Sequence, residues 1–194
     1  MKSISYPFSV SKIRGLRLGE TVSISGRVFT GRDRLHRYLA EGGKPPVDLT
    51  GGAIFHCGPV AAREGSTWVI RAAGPTTSLR QEPYMASIIE RFQIRVIIGK
   101  GGMGEATRKA CVKHGCVYVQ LVGGAAVYLA ESIKEVLGVH FVKEFSEAEA
   151  LWELCVRDLR GIVTMDSRGR SLHEKIRLGS RKVLDRLIYT QRLI

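Results

Sequence analysis

The sequence predicts an α/β protein. Short β-branched runs alternate with amphipathic stretches of helical length, most regularly from residue 94 onward. Hydrophobic residues make up 44% of the 194, enough to bury a core. No apolar run approaches the ~18 residues of a membrane span. Strands separated by helices of roughly 10–14 residues imply βαβ units and a parallel sheet. The opening stretch MKSISYPFSVSKIRG holds no apolar secretory segment, so a soluble, cytoplasmic protein is expected.

The elements follow in order. Thr21–Phe29 alternates and is rich in β-branched residues, a strand pattern. Thr30 then reads as a helix N-cap, with Asp33 three residues on and Leu35 and Leu39 on one face. That helix stops at Gly42-Gly43, and Lys44-Pro45-Pro46 makes a rigid linker. Ala53–His56 and Thr67–Ala72 are short strands. After the turn 74–78, Ser78 and Gln81 have capping-box spacing for a helix reaching Phe92. Ile94–Ile98 is a buried-type strand, Lys100–Gly104 a tight turn, Glu105–His114 a helix and Val117–Val122 a strand. Gly124–Leu137 is expected as a helix and Val139–Phe145 as a strand. Leu151–Leu159 alternates apolar with charged residues and reads as a strand, with Gly161–Met165 as its partner. In the tail, Leu172, Ile176, Val183, Leu184, Leu187 and Ile188 recur at helical spacing with Lys and Arg on the other face, and Gly179 is expected to break the helix.

The net charge is +12 and the pI near 9.9. It is uneven: +10 over residues 1–113, −3 over 114–164 and +5 over 165–194. A basic surface fits nucleic acid, a membrane, an acidic partner or an anionic substrate, and sign alone does not choose. Cys57, Cys111, Cys116 and Cys155 form no CxxC pair, and the five histidines form no HxxxH or HExxH pair, so buried free thiols are expected and no metal site in this chain alone.

The loop Ile97-Ile98-Gly99-Lys100-Gly101-Gly102 is similar to the GXXG loop of a KH domain, which clamps a nucleic-acid backbone. A KH loop joins two helices, however, and residues 94–98 read as a strand. A KH-like basic nucleic-acid-binding module is therefore the alternative from another class. A P-loop fails for want of GxxxxGK[ST]. Arg32, Arg80 and Lys100 each lie near an expected helix N-terminus, where free N–H groups and the macrodipole favour an anion. If they converge, they make a pocket for a small anion with more than one acidic group.

Five motifs then carry a family resemblance: Thr30-Gly31-Arg32-Asp33 with His36, Gly74-Pro75-Thr76-Thr77-Ser78-Leu79-Arg80, Lys100-Gly101-Gly102-Met103-Gly104, Gly123-Gly124-Ala125-Ala126 and Met165-Asp166-Ser167-Arg168-Gly169. In order and spacing the chain resembles the β subunit of class I fumarate hydratase and of its sister, L-tartrate dehydratase. The resemblance implies an oxygen-sensitive hydro-lyase, with fumarase serving the tricarboxylic acid cycle. It implies a 4Fe-4S cluster held by three cysteines of a partner α subunit, and a swivelling three-layer β/β/α domain with a small β-rich part. It implies that Arg32, Arg80 and Lys100 bind the substrate carboxylates and that Thr76 is the catalytic base, with Asp33, Thr77, Gly101 and Gly102 in support. A hydroxyl base needs a carboxylate to accept the proton. Asp33 is a local candidate for it, and the family pattern puts it on the α chain. Residues 1–172 would be the catalytic domain and 173–194 a basic amphipathic helical extension, packed on its own domain or docked on the α chain or a second β chain. Arg34, Leu35 and Arg170 depart from the family pattern, as does the basic tail.

Overall fold

The computed structural model describes residues 1–191. Residues 192–194, the end of the expected extension, lie outside it.

Five strands are parallel neighbours: β1 (Lys2–Ser5), β2 (Thr21–Gly31), β3 (Ala53–His56), β6 (Val96–Gly99) and β7 (Val117–Gln120). They are joined through α1 (Val10–Arg14), α2 (Asp33–Ala40), the hairpin of β4 (Val60–Glu64) and β5 (Thr67–Ala72), a 3-10 turn (Ser78–Gln81), α3 (Glu82–Phe92) and α4 (Glu105–His114). After β7 come α5 (Ala126–Ala130), β8 (Ile133–His140), α6 (Val142–Phe145), the 15-residue β9 (Leu151–Met165) and α7 (Leu172–Gln191).

The sheet is mixed rather than wholly parallel, and β9 is the reason. It runs antiparallel to β2, to β8 and, at its end, to β7. Pairing with both β2 and β7, it closes the strands into a ring. Alternate side chains then fall into two cores. Ala53, Phe55, Val96, Ile98, Val117 and Val119 join Trp152, Leu154 and Val156 of β9 on one face. Ile54, Ile97 and Tyr118 face Leu35 and Leu39 of α2, Met85 and Ile88 of α3 and Cys111 of α4. Each large aliphatic side chain so buried contributes roughly 1.5–3 kcal/mol. Trp152 also meets Trp68 edge-on at 5.2 Å, which seats the β4–β5 hairpin.

Several expectations are corrected. Thr30 is not a cap: it lies wholly buried in β2, where its hydroxyl donates to the Ala150 carbonyl (3.3 Å) and accepts from the Trp152 amide (3.1 Å). Arg32 is the N-cap of α2, without a side-chain bond. The Ser78–Gln81 capping box does not form; these residues are the 3-10 turn, and Ser78 turns inward to Tyr118. The helix expected over 124–137 is only α5, closed by tight bonds from Glu131 and Ser132 to Tyr128 and Leu129. The open edge of β9 claims Ile133–His140 as a strand, which overrides the helical reading of residues 133–137 and keeps Val139 and His140 in a strand as expected. Phe141, in the left-handed region at φ 66°, ends that strand, so Val142–Phe145 is a helical turn. Gly161–Met165 is no separate partner but the continuation of β9. Gly179 does not break α7. Because β6 precedes the Lys100 loop, the helix–loop–helix geometry of a KH domain is absent there. Among the described residues, no helix is long and apolar enough to cross a membrane.

Candidate active site

Parallel strands present their C-terminal ends, and the loops that leave them, at one rim of a sheet, where α/β proteins bind ligands. Here β2, β3 and β6 are adjacent and end at Gly31, His56 and Gly99. Arg32 and Lys100 are the next residues after β2 and β6. Their strands are two spacings apart, about 10 Å.

The turn between β5 and α3 lies across this rim. The Thr76 amide donates to the carbonyl of His56 (2.7 Å), which anchors a half-buried Thr76 over the end of β3. Thr77 forms a parallel bridge with Lys100, and the Ser78 amide donates to the Lys100 carbonyl (3.0 Å). The Lys100 stem runs past Gly123: a Cβ there would lie 3.5 Å from Lys100 Cδ. Gly101 and Gly102 follow with φ of 82° and 78°, a backbone that side chains rarely adopt.

Arg80 forms an ion pair with Asp33, whose carboxylate also accepts from the side-chain Nε2 of Gln81 (2.5 Å). Burial opposes ionisation of Asp33. The Arg80 and Gln81 hydrogen bonds and the charges of Arg80 and Arg32 outweigh it and hold the carboxyl below its ordinary range. Arg32 lies 3.5 Å from Glu149 and against Gly58, where a Cβ would sit 2.7 Å from Arg32 Cδ. The structure thus joins Arg32, Asp33 and Arg80 in one charged cluster and brings Lys100, Thr76 and Thr77 to the same turn.

The N-termini of α2 and α4 do not serve as expected. Glu82 of α3 fills that of α4, its carboxylate accepting from the Gly104 amide (2.7 Å), the Thr107 amide (3.1 Å) and the Thr107 hydroxyl (2.7 Å). Glu149 accepts from the Arg34 amide (2.9 Å) at α2. Among the described residues, Lys100 has no carboxylate within salt-bridge distance.

Sequence reasoning missed two histidines beneath the rim. His36 and His56 are fully buried, with ring centroids 4.9 Å apart. His36 Nδ1 bonds the Arg32 carbonyl at 2.7 Å. Burial pulls its pKa down to about 4, and burial together with His36 pulls His56 well below the usual value, so both rings are neutral at pH 7. The signal was a histidine within the first motif and another closing a strand. A cleft of about 360 Å³ adjoins the site at Leu79 and Gly101 but is otherwise lined by residues such as Met103, Met165, His173 and Arg177. Cys57, Cys111 and Cys116 are buried free thiols and Cys155 is half-buried.

A sequence profile of the family described as "Fumarase C-terminus" matches residues 4–176. A provisionally named class I fumarate hydratase of Geobacillus stearothermophilus is 48% identical over 179 residues, covering 92% of this chain and 34% of that protein. The chain thus spans about a third of that relative's length. The L(+)-tartrate dehydratase subunit beta of Escherichia coli K12 is 35% identical over 173 residues, 88% of this chain and 86% of that one. A provisionally named counterpart in Methanocaldococcus jannaschii is 36% identical over 180 residues, 90% and 91% of the two chains.

Proposed function

This chain belongs to the Fumarase C-terminus family, and from that premise we propose that it is the β subunit of a hydro-lyase that interconverts fumarate and L-malate together with an α subunit. The observation that carries the reading is that Arg32 and Lys100 follow the ends of two parallel strands flanking β3, while the turn bearing Thr76 and Arg80 is tied to Asp33 on one side and to Lys100 on the other. L-Tartrate is the second substrate reading, favoured by the E. coli and M. jannaschii relatives, whose whole length this chain nearly spans. On the same reading, residues 1–172 are the catalytic unit, a swivelling β/β/α domain, and the segment from 173 is accessory.

A 4Fe-4S cluster does not fit this chain's own side chains. Among the described residues no three His, Cys, Asp or Glu side chains gather as a ligand set, and three of the four thiols are buried. The cluster belongs to the α subunit in this proposal, and no step is derived through it.

What this chain supplies is binding and a proton acceptor. Arg32 and Lys100 hold the two carboxylates, and Arg80 offers a planar fork to one of them. Thr76 Oγ1 takes the proton from the carbon beside the hydroxyl-bearing one, and the electron pair left behind becomes the carbon–carbon double bond as the neighbouring C–O bond breaks and the hydroxyl leaves as water. The Thr76 hydroxyl has to pass that proton on, and Asp33 is a poor acceptor, being held ionised by Arg80 and Gln81. The accepting carboxylate is therefore assigned to the α chain.

The test is reconstitution. The isolated chain is expected to be inactive; combined anaerobically with its α subunit, iron and sulfide, it should hydrate fumarate, and Thr76→Ala should lower kcat far more than it raises KM. Robust turnover by the isolated chain would sink the two-chain reading, and an unchanged kcat in Thr76→Ala would reassign that residue to a turn.

A further inference from the structure

The two loops that form the candidate site are tied together by one buried hydroxyl. Tyr118, in the middle of β7, is wholly buried, with Val117 and Val119 facing the other core. Its phenol donates to Ser78 Oγ at 2.9 Å, in the turn that carries Thr76 and Arg80. The same oxygen accepts from the Gly102 amide at 3.3 Å, in the loop that follows Lys100.

The surroundings are shaped for this link. A Cβ on Gly99 would sit 1.9 Å from Ser78 Oγ and 3.1 Å from the Tyr118 hydroxyl, so only glycine leaves the passage open. Gly102, at φ 78°, lies on the ring of His173: a Cβ there would come within 2.5 Å of it. His173 Nε2 in turn lies 3.2 Å from Thr164 Oγ1, and its ring meets Tyr118 edge-on at 6.3 Å. Burial pushes the Tyr118 phenol up to about 12, so it stays protonated and keeps donating at any working pH.

We propose that Tyr118 is a positioning residue of this site, its hydroxyl fixing the spacing between the turn that bears Thr76 and Arg80 and the loop that bears Lys100. It touches no substrate. It acts by making base and carboxylate anchor address one bound molecule, where a displacement of about 1 Å costs about a hundredfold in rate. The assignment rests on the hydro-lyase reading for its kinetic consequence but not for its structural one.

The experiment replaces Tyr118 by Phe, with Ile97→Val as a control that thins the same core without touching a hydrogen bond. In the reconstituted α–β enzyme, Tyr118→Phe should lower kcat/KM roughly ten- to a hundredfold, with kcat falling and KM rising together. Ile97→Val should keep both constants while its melting temperature falls. In the isolated chain, amide hydrogen exchange at Gly102 and Ser78 should quicken at least about tenfold in Tyr118→Phe and not in Ile97→Val. Ser78→Ala, which removes only the acceptor, should reproduce the kinetic loss in part and add little to Tyr118→Phe. Kinetics indistinguishable from Ile97→Val, or unchanged exchange at Gly102 and Ser78, overturns the proposal. If the wild-type enzyme hydrates no dicarboxylate, the function reading fails by itself, and the exchange measurement still decides whether the brace exists.

Discussion

Replacing Arg80 by Met separates a binding role from a structural one, because the structure assigns the two very different magnitudes. Arg80 and Asp33 pair at the surface, with side chains 47% and 42% exposed, so losing their ion pair costs at most about 1 kcal/mol of stability. Asp33 keeps its bond from Gln81 when Arg80 is gone, which lowers the cost further. A charge-assisted contact to a substrate carboxylate contributes more, about 1.5–3 kcal/mol, or roughly ten- to a hundredfold in kcat/KM. The reconstituted enzyme should therefore lose one to two decades of kcat/KM on fumarate while the melting curve of the β chain barely moves. Arg80→Lys should fall between, keeping the charge but not the fork. Steady-state kinetics and a thermal melt on the same preparations make the comparison. Wild-type kcat/KM in Arg80→Met, or a melting loss as large as that of a core truncation, would refute the assignment of Arg80 to the substrate.

Gly58→Ala should raise KM roughly tenfold, because its methyl would meet Arg32 Cδ at 2.7 Å and the Ala148 carbonyl at 2.4 Å and push the guanidinium off the rim; an unchanged KM would place substrate elsewhere. The buried histidines set a pH dependence. With its folded pKa near 4 against about 6.5 unfolded, His36 leaves the unfolded chain binding more protons between those values, so stability should fall as pH drops from 6.5 toward 4, by on the order of 3 kcal/mol. His56 adds in the same direction, and a His36→Asn variant should give a flatter denaturation curve over that window. Ending the chain after Leu178 should shift the melting temperature by less than about 2 °C, since Val183 and Leu187, which lie beyond it, are each nearly 60% exposed. Ending it after Ser171 removes His173 from behind Gly102 and should cost several degrees more, and equal melting curves would show that His173 supports nothing.

What the sequence made legible were features written locally. The helix Glu105–His114 and the strands Ala53–His56 and Thr67–Ala72 match to the residue, and β2 and β6 match within a few, because apolar period and glycine stops determined them. The errors arise where distant segments decide. Thr30 has the chemistry of a cap, but the edge of β9 uses its hydroxyl 120 residues away. Residues 133–137 continue the helical pattern read from 124, yet they join Val139 and His140 in a strand because β9 offers an open edge. At the site, motif spacing picked out residues that the fold gathers at one turn. It did not reveal that Glu82 occupies the α4 N-terminus, nor that Tyr118, an unremarkable tyrosine in an apolar run, joins the two loops. Both depend on contacts between residues 16 to 40 positions apart, which no local pattern encodes.

The closing of the ring by β9 has a consequence for synthesis. Thr21 pairs with Ile162 and Phe29 with Glu153, so the longest strand contacts in the molecule join its early and late thirds. Such long-range pairings form late and slowly. As the polypeptide leaves the ribosome, every proposed catalytic residue, 32 through 100, is exposed more than fifty residues before Leu151–Met165 emerges. Until then β2 has an unpaired edge and Val22, Ile24 and Val28 lack their cover, a template for association with other nascent chains. Chaperone dependence and inclusion-body formation should therefore follow the arrival of this one strand, and its early supply, by circular permutation that moves β9 ahead of β2, should raise soluble yield without altering the site.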